Sequence, residues 1–207
     1  MSIRVVTPPA AYPVLLSEAR DWCRCYTDDT SQDGVINLLI QAMVNHAENL
    51  TGRAFVERTY ELNLPYFERT IELPFPPLIG VDSVGYTDIN GATQTVDASV
   101  YEADTVQEPG RIQPNWRKFW PVIAGLGYTF NPVRIQYRAG YVAPGSPQDL
   151  TDNSYLPPQL RLWMQARIGT LYDNRSVVII ERATVDVLPR DFADGLLDSL
   201  IVGTRLF

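Results

Sequence analysis

Asp33-Gly34-Val35-Ile36-Asn37-Leu38-Leu39-Ile40-Gln41-Ala42-Met43-Val44-Asn45-His46-Ala47-Glu48-Asn49-Leu50-Thr51-Gly52 decides how the chain is read. Val35, Ile36, Leu38, Leu39, Ile40, Ala42, Met43, Val44, Ala47 and Leu50 recur on a helical period and cover more than a narrow amphipathic stripe. The pattern predicts a helix from Gln32 or Asp33 to Leu50 or Thr51, with Gly52 as the residue that ends it. The face left over carries Asn37, Gln41, Asn45 and Asn49 at four-residue spacing. A solvated helix face normally carries Glu, Lys and Arg, so uncharged amides are an odd choice. Two readings follow. Either a neighbouring subunit covers this face, making the four amides a subunit interface, or the helix is central with a modest exposed strip.

Working outward, Ser17-Glu18-Ala19-Arg20 opens a shorter helix that extends to Tyr26, with Ser17 as cap and Glu18 in the first turn. Beyond Gly52 the period changes to two. Residues 55–64 read as a strand, Thr70 to Leu73 as a short extended piece, and Pro74, Pro76 and Pro77 forbid helix there. Val81 to Thr87 and Thr93 to Val96 flank Asp88-Ile89-Asn90-Gly91, a strong hairpin signal. Tyr101 to Asp104 and Arg111-Ile112 add small strands, and Val133 to Ala139 alternates cleanly. Between them, residues 113–132 form a loop rich in aromatic residues. Helix returns at Pro157-Pro158 and runs to Tyr172, with Leu160, Trp163 or Met164, Arg167, Ile168 and Leu171 on its buried side. The expected fold class is therefore α+β: a small helical bundle, two N-terminal helices plus a later one, with an inserted antiparallel β region and a C-terminal arm. Residues 1–175 form one domain in this reading, helical over 15–52 and 157–173 and β-rich over 55–140; residues 176–207 form the arm. The arm is apolar and β-branched at Val177 to Ile180, and Asp191 to Val202 reads as a short helix. That helix would align Phe192, Leu196, Leu197, Leu200 and Ile201 on one side.

The 207 residues carry a formal net charge of -7. Such an acidic chain has no general attraction for phosphate backbones, which argues against nucleic-acid binding as its main activity. No run of about 18 apolar residues predicts a membrane span, and the first residues lack the apolar segment of a secretion signal. Lys118 is the only lysine among arginines; a codon bias toward arginine explains this, and so does the fit of arginine's planar fork to subunit contacts. Cys23 and Cys25 lack the partners of a zinc site, and reduced thiols are expected. His46, the sole histidine, would have to serve any Ser-His-Asp mechanism, yet it lies within the helical pattern. No Gly-rich phosphate loop or metal-ligand spacing occurs. No catalytic, cofactor or metal residue is nominated.

The order of segments carries a resemblance. Leu15 to Arg20, the long helix closing in Ala47-Glu48-Asn49-Leu50-Thr51-Gly52-Arg53-Ala54-Phe55, and Ile71-Glu72-Leu73-Pro74 with Pro76-Pro77-Leu78 come first. The Tyr86 to Gly91 hairpin, Tyr101-Glu102, Tyr137 to Tyr141, Leu156-Pro157-Pro158 and Leu171 to Arg175 follow in that order. Together, over residues 14 to 205, they resemble the head-to-tail connector, or adaptor, proteins of long-tailed phages and of phage-like gene transfer agents; residues 105–132 depart from the pattern. The resemblance implies a structural virion protein of the neck, assembled in the bacterial cytoplasm, without enzymatic activity or cofactor. It implies a ring on the portal vertex, usually a dodecamer, that binds the portal protein and the next neck or tail-completion protein and lets DNA pass through its lumen without specific binding. No membrane is involved. On this reading Phe192, Leu196, Leu197, Leu200, Ile201, Leu206 and Phe207 meet the portal; the other reading of the same apolar face is that the arm helix docks on its own subunit. The alternative is a carbohydrate-binding or hydrolytic phage-associated domain using the aromatic loop 113–130, with Trp116, Trp120 and Tyr128 stacking on sugars.

Overall fold

A computed structural model describes residues 1–8, 12–26, 30–124, 129–141, 155–173 and 195–202. In chain order the elements are β1 (Ser2–Thr7), α1 (Leu16–Trp22), α2 (Asp33–Thr51), β2 (Arg58–Leu64), β3 (Ile71–Leu73), β4 (Leu78–Thr87), β5 (Thr93–Thr95), β6 (Tyr101–Asp104), β7 (Gly110–Pro114), β8 (Val133–Ala139) and α3 (Pro158–Asp173). One-turn 3-10 helices occupy Ala98–Val100 and Asp198–Leu200. The chain divides into a β unit, Met1–Ala10 with Val56–Tyr141, and a helical unit, Ala11–Phe55 with Val142–Phe207. The fold is α+β with antiparallel sheets, as the sequence pattern predicts.

In the β unit, five strands run in the order β1-β2-β8-β4-β5 and three in the order β3-β7-β6. The clean alternation of Val133 to Ala139 pairs in register with β2, from Arg58 opposite Ala139 to Leu64 opposite Val133. This sets Tyr60, Leu62 and Leu64 beside Tyr137, Ile135 and Val133, all buried. Tyr60 and Tyr137 stack at 5.5 Å, and the Tyr137 hydroxyl donates to the Pro74 carbonyl at 2.9 Å. Burial pushes that phenol far above its ordinary range. The Asn90-Gly91 turn forms as expected: Gly91 has φ +81°, and the Asp88 carboxylate accepts from the Asn90 and Ala92 amides at 2.9 Å each.

Sequence patterning did not foresee β1. Its outer-face clamp is a rung of three side chains, Arg4, Glu61 and Gln136, aligned across β1, β2 and β8. Arg4 donates to both Glu61 carboxylate oxygens, at 2.9 and 3.0 Å, and Gln136 donates at 3.3 Å. Hydrogen bonding from Arg4 outweighs burial and holds the Glu61 carboxyl below its ordinary value of 4.5. Because the folded value is depressed, this stabilisation is present above pH 4.5 and is lost as pH falls through the lowered value. Acidification is therefore expected to loosen β1 before β8, and Glu61→Gln to flatten that dependence. Amide exchange of the β1 backbone as a function of pH reads it; identical profiles for wild type and Glu61→Gln would contradict it.

In the helical unit, α2 packs on α3, and α1 packs on both. Ile36, Ile40, Val44 and Ala47 of α2 are buried, as are Leu160, Trp163, Met164 and Ile168 of α3. Leu171, expected inside, lies exposed in the last turn of α3. Gly169 permits the close approach of α1: a Cβ there would come within 2.6 Å of the Trp22 ring. Helix α1 is shorter than its pattern suggests. Arg24 adopts φ +54°, Cys25 N–H returns to the Arg20 carbonyl at 3.0 Å and Arg24 N–H to Asp21 at 3.2 Å. This Schellman geometry ends the helix at Trp22. Ser17 is not the cap; the Glu18 carboxylate instead accepts from the Leu15 amide at 3.0 Å. Neither cysteine is in a disulfide, and the Cys25 thiol lies 3.2 Å from the Tyr172 hydroxyl.

Candidate functional site

Three surfaces stand out, and the first is α2. Asn37, Gln41, Asn45 and Asn49 are all exposed on one face, and Val35, Leu38, Ala42 and Leu50 lie exposed among them. Leu38 is 66% exposed, which is a large apolar side chain left uncovered in the middle of a long helix. The inner stripe, spaced by three and four residues, takes the core. What remains outside is apolar and amide, with His46 as its one titratable side chain. His46 stacks on Trp163 at 5.9 Å, and the Arg167 guanidinium lies 5.6 Å from the same ring. That is a packing role for the sole histidine.

The second surface is the root of the arm. Residues 195–202 do not form the expected α-helix: a turn leads into the 3-10 helix Asp198–Leu200. The cause lies at the end of α2. The buried Arg53 donates from Nε to the Leu200 carbonyl at 2.6 Å, and the Val202 amide donates to the Thr51 carbonyl at 2.9 Å. These groups are thereby taken from a continuing i to i+4 ladder. Leu197 and Leu200 are buried within their own chain, Leu196 is half-buried and Ile201 is exposed. Phe192, Leu206 and Phe207 lie outside the described residues. Among the described residues, Leu196, Leu197, Leu200 and Ile201 thus do not lie together on one free face. Arg53 was missed because nothing in its neighbourhood points to a partner so far along the chain.

The third surface is the aromatic loop of the β unit. Asn115 pins it: its amide N–H donates to Val100, and its side chain donates to the Ser99 and Tyr101 carbonyls at 2.9 and 3.2 Å. The turn closes with Lys118 N–H on the Asn115 carbonyl at 2.8 Å, and Arg117 is held at φ +61°, where a side chain is disfavoured. Trp120 folds inward. It stacks on Phe67 at 4.8 Å, lies 6.2 Å from Tyr101, and donates from its indole to the Glu68 carbonyl at 2.7 Å. Trp116 and Phe119 stay 86% and 84% exposed. They border an open groove of about 820 Å³ that Arg69, Glu102 and Lys118 also line. Of the rings suggested for sugar stacking, Trp120 is committed to the sheet, Trp116 is free, and Tyr128 lies outside the described residues.

Among the described residues no three His, Cys, Asp or Glu side chains group to hold a metal, and no helix is long and apolar enough to cross a membrane.

No protein-family model and no curated protein matches the chain. Solved structures do. A chain in the neck of an empty gene transfer agent (GTA) particle, computed with C6 symmetry, superposes with a TM-score of 0.75 at 20% identity, covering 99% of this chain and 100% of that one. A chain of the virion of a native GTA particle gives 0.75 at 20%, covering 100% and 98%. One in the neck of a native GTA particle computed with C12 symmetry gives 0.65 at 21%, covering 99% and 100%. The fold is therefore shared from end to end with chains of such particles.

Proposed function

We propose that this chain is a structural neck component of a phage-like particle, an adaptor that forms a ring on the portal vertex, links the DNA-filled head to the tail and continues the DNA channel. The observation that carries the reading is the full-length likeness to chains of GTA necks, at a TM-score of 0.75. The exposed face of α2 supports it. A chain 20% charged that leaves Leu38, Val35 and four amides on one helix face has a surface suited to a neighbouring copy. In this reading the amide face is the subunit interface, and the protein works by contact, without catalysis or cofactor. The net charge of -7 suits a conduit, since a basic lumen would hold the duplex rather than let it slide. Ile201, next to the Arg53 anchor and exposed, begins the portal contact, and Leu206 and Phe207 extend it. Leu197 and Leu200 instead fix where the arm leaves the body.

The test is attachment to heads bearing the cognate portal, imaged by electron microscopy. Wild type should form a symmetric ring. Leu38→Asp should abolish the ring with the melting temperature unchanged. Truncation after Val202 should leave a folded body that no longer attaches. A truncated chain that joins heads at normal occupancy removes the arm as anchor, and a wild-type chain that never joins them overturns the neck reading.

A further inference from the structure

The two ends of strand β7 carry opposite chemistry. At its C-terminal end lies the pinned turn with exposed Trp116 and Phe119, and with Arg69, Arg117 and Lys118 against Glu102. At its N-terminal end the β6–β7 hairpin tip presents Asp104 and Glu108 around Val106, which is 91% exposed. Five strand residues separate the ends by about 15 Å. Both ends are built rather than slack. The Asp104 carboxylate accepts from the Val106 and Gln107 amides at 2.9 and 3.2 Å, and Asn115 holds the opposite turn as described. Arg117, with its strained φ of +61°, belongs to the turn in which Trp116 stays in solvent. Lys118 shares its charge with Asp97, whose carboxyl it helps to lower, after hydrogen bonds from Ser99. Arg69 and Arg117 are exposed.

The geometry points to a head-to-tail contact between two copies of this chain: the basic aromatic turn of one copy receives the acidic, valine-tipped hairpin of the next. Charge complementarity selects a second copy as occupant. The groove gathers cations, including the only lysine, in a chain that is otherwise acidic, so the surface a second copy offers is predominantly negative. Trp and Arg are the side chains that dominate protein interfaces, and Val106 supplies an apolar tip for the groove. A contact between different patches on each copy is heterologous, the kind that closes into a ring when its rotation permits. The inference rests on the ring reading above and gives it a second contact, carried by the β unit.

Sedimentation of the purified full-length chain at low salt tests the contact without any head or portal. Wild type should self-associate as its concentration rises. Arg69→Glu/Lys118→Glu and, separately, Gln107→Arg/Glu108→Arg should each weaken association about tenfold or more, because like charges then meet. Trp116→Ala should do the same, with the circular dichroism spectrum unchanged in all three. An equimolar mixture of the two charge variants should recover association, since each then meets its complement. Charge variants that associate as wild type does, a mixture that fails to recover, or a wild type that stays monomeric would overturn the contact. So would oligosaccharide binding that depends on Trp116 while charge reversal leaves association intact. Head attachment, measured separately, decides the neck reading.

Discussion

Trp163→Ala is expected to cost the helical unit about 3–5 kcal/mol, the usual range for removing a fully buried large aromatic side chain. Trp163 is 0% exposed and among the largest buried side chains. It is flanked by the His46 ring at 5.9 Å and the Arg167 guanidinium at 5.6 Å, so its loss opens a cavity and removes a packing surface from both neighbours. Ordinary domains have only about 5–15 kcal/mol in total. The variant should therefore melt at much lower denaturant, with its near-ultraviolet dichroism changed. Trp163→Phe should recover part of the loss. An alanine variant within about 0.5 kcal/mol of wild type, the range of neutral surface changes, would contradict this account of the core.

Gly140→Ala should have an effect of similar size on the β unit. Gly140 follows β8 at φ +127°, a conformation that L side chains rarely adopt, and a Cβ would come within 2.6 Å of the Val56 carbonyl group and 2.7 Å of the Glu57 nitrogen. Those are backbone atoms at the entry to β2, and Gly140 N–H also donates to the Pro77 carbonyl at 2.9 Å, so three segments would have to move together. Conformational strain of about 1–3 kcal/mol and overpacking of about 1–3 kcal/mol add up here. Gly91→Ala, at φ +81° with open space around it, should cost only the conformational part. Comparing the two variants by chemical denaturation separates steric from conformational cost; equal losses would show that the close approach does not matter.

These positions show what was legible in the sequence. The helix from Asp33 to Thr51, the Asn90-Gly91 hairpin and the strand from Val133 to Ala139 rest on local signals: a period, a turn dipeptide, an alternation. The misses have distant causes. Strand β1 depends on Glu61, 57 residues from Arg4, and Ser2–Thr7 has little besides β-branched residues to announce it. The 3-10 helix at Asp198–Leu200 is set by Arg53, 147 residues away, so helix periodicity misled there. The amide face of α2 was visible as an anomaly in residue type. The Trp116 turn was visible only as a run of aromatic residues, because which ring folds inward depends on Phe67 and Tyr101.

The helical unit is discontinuous in the chain, and this has a consequence for the order in which the protein is made. Helices α1 and α2 leave the ribosome first, yet Leu160, Trp163, Met164 and Ile168, which belong to the same unit's core, come from α3, near the end of synthesis. The β unit is complete once β8 has emerged at Ala139. It therefore closes before the helical unit is complete, while Ile36, Ile40 and Val44 wait without the helix that will cover them. Uncovered apolar surface of this kind is what aggregates during folding. A nascent chain that has emerged only to a point between residues 141 and 158 would expose it, and that interval is when the chain most needs a chaperone.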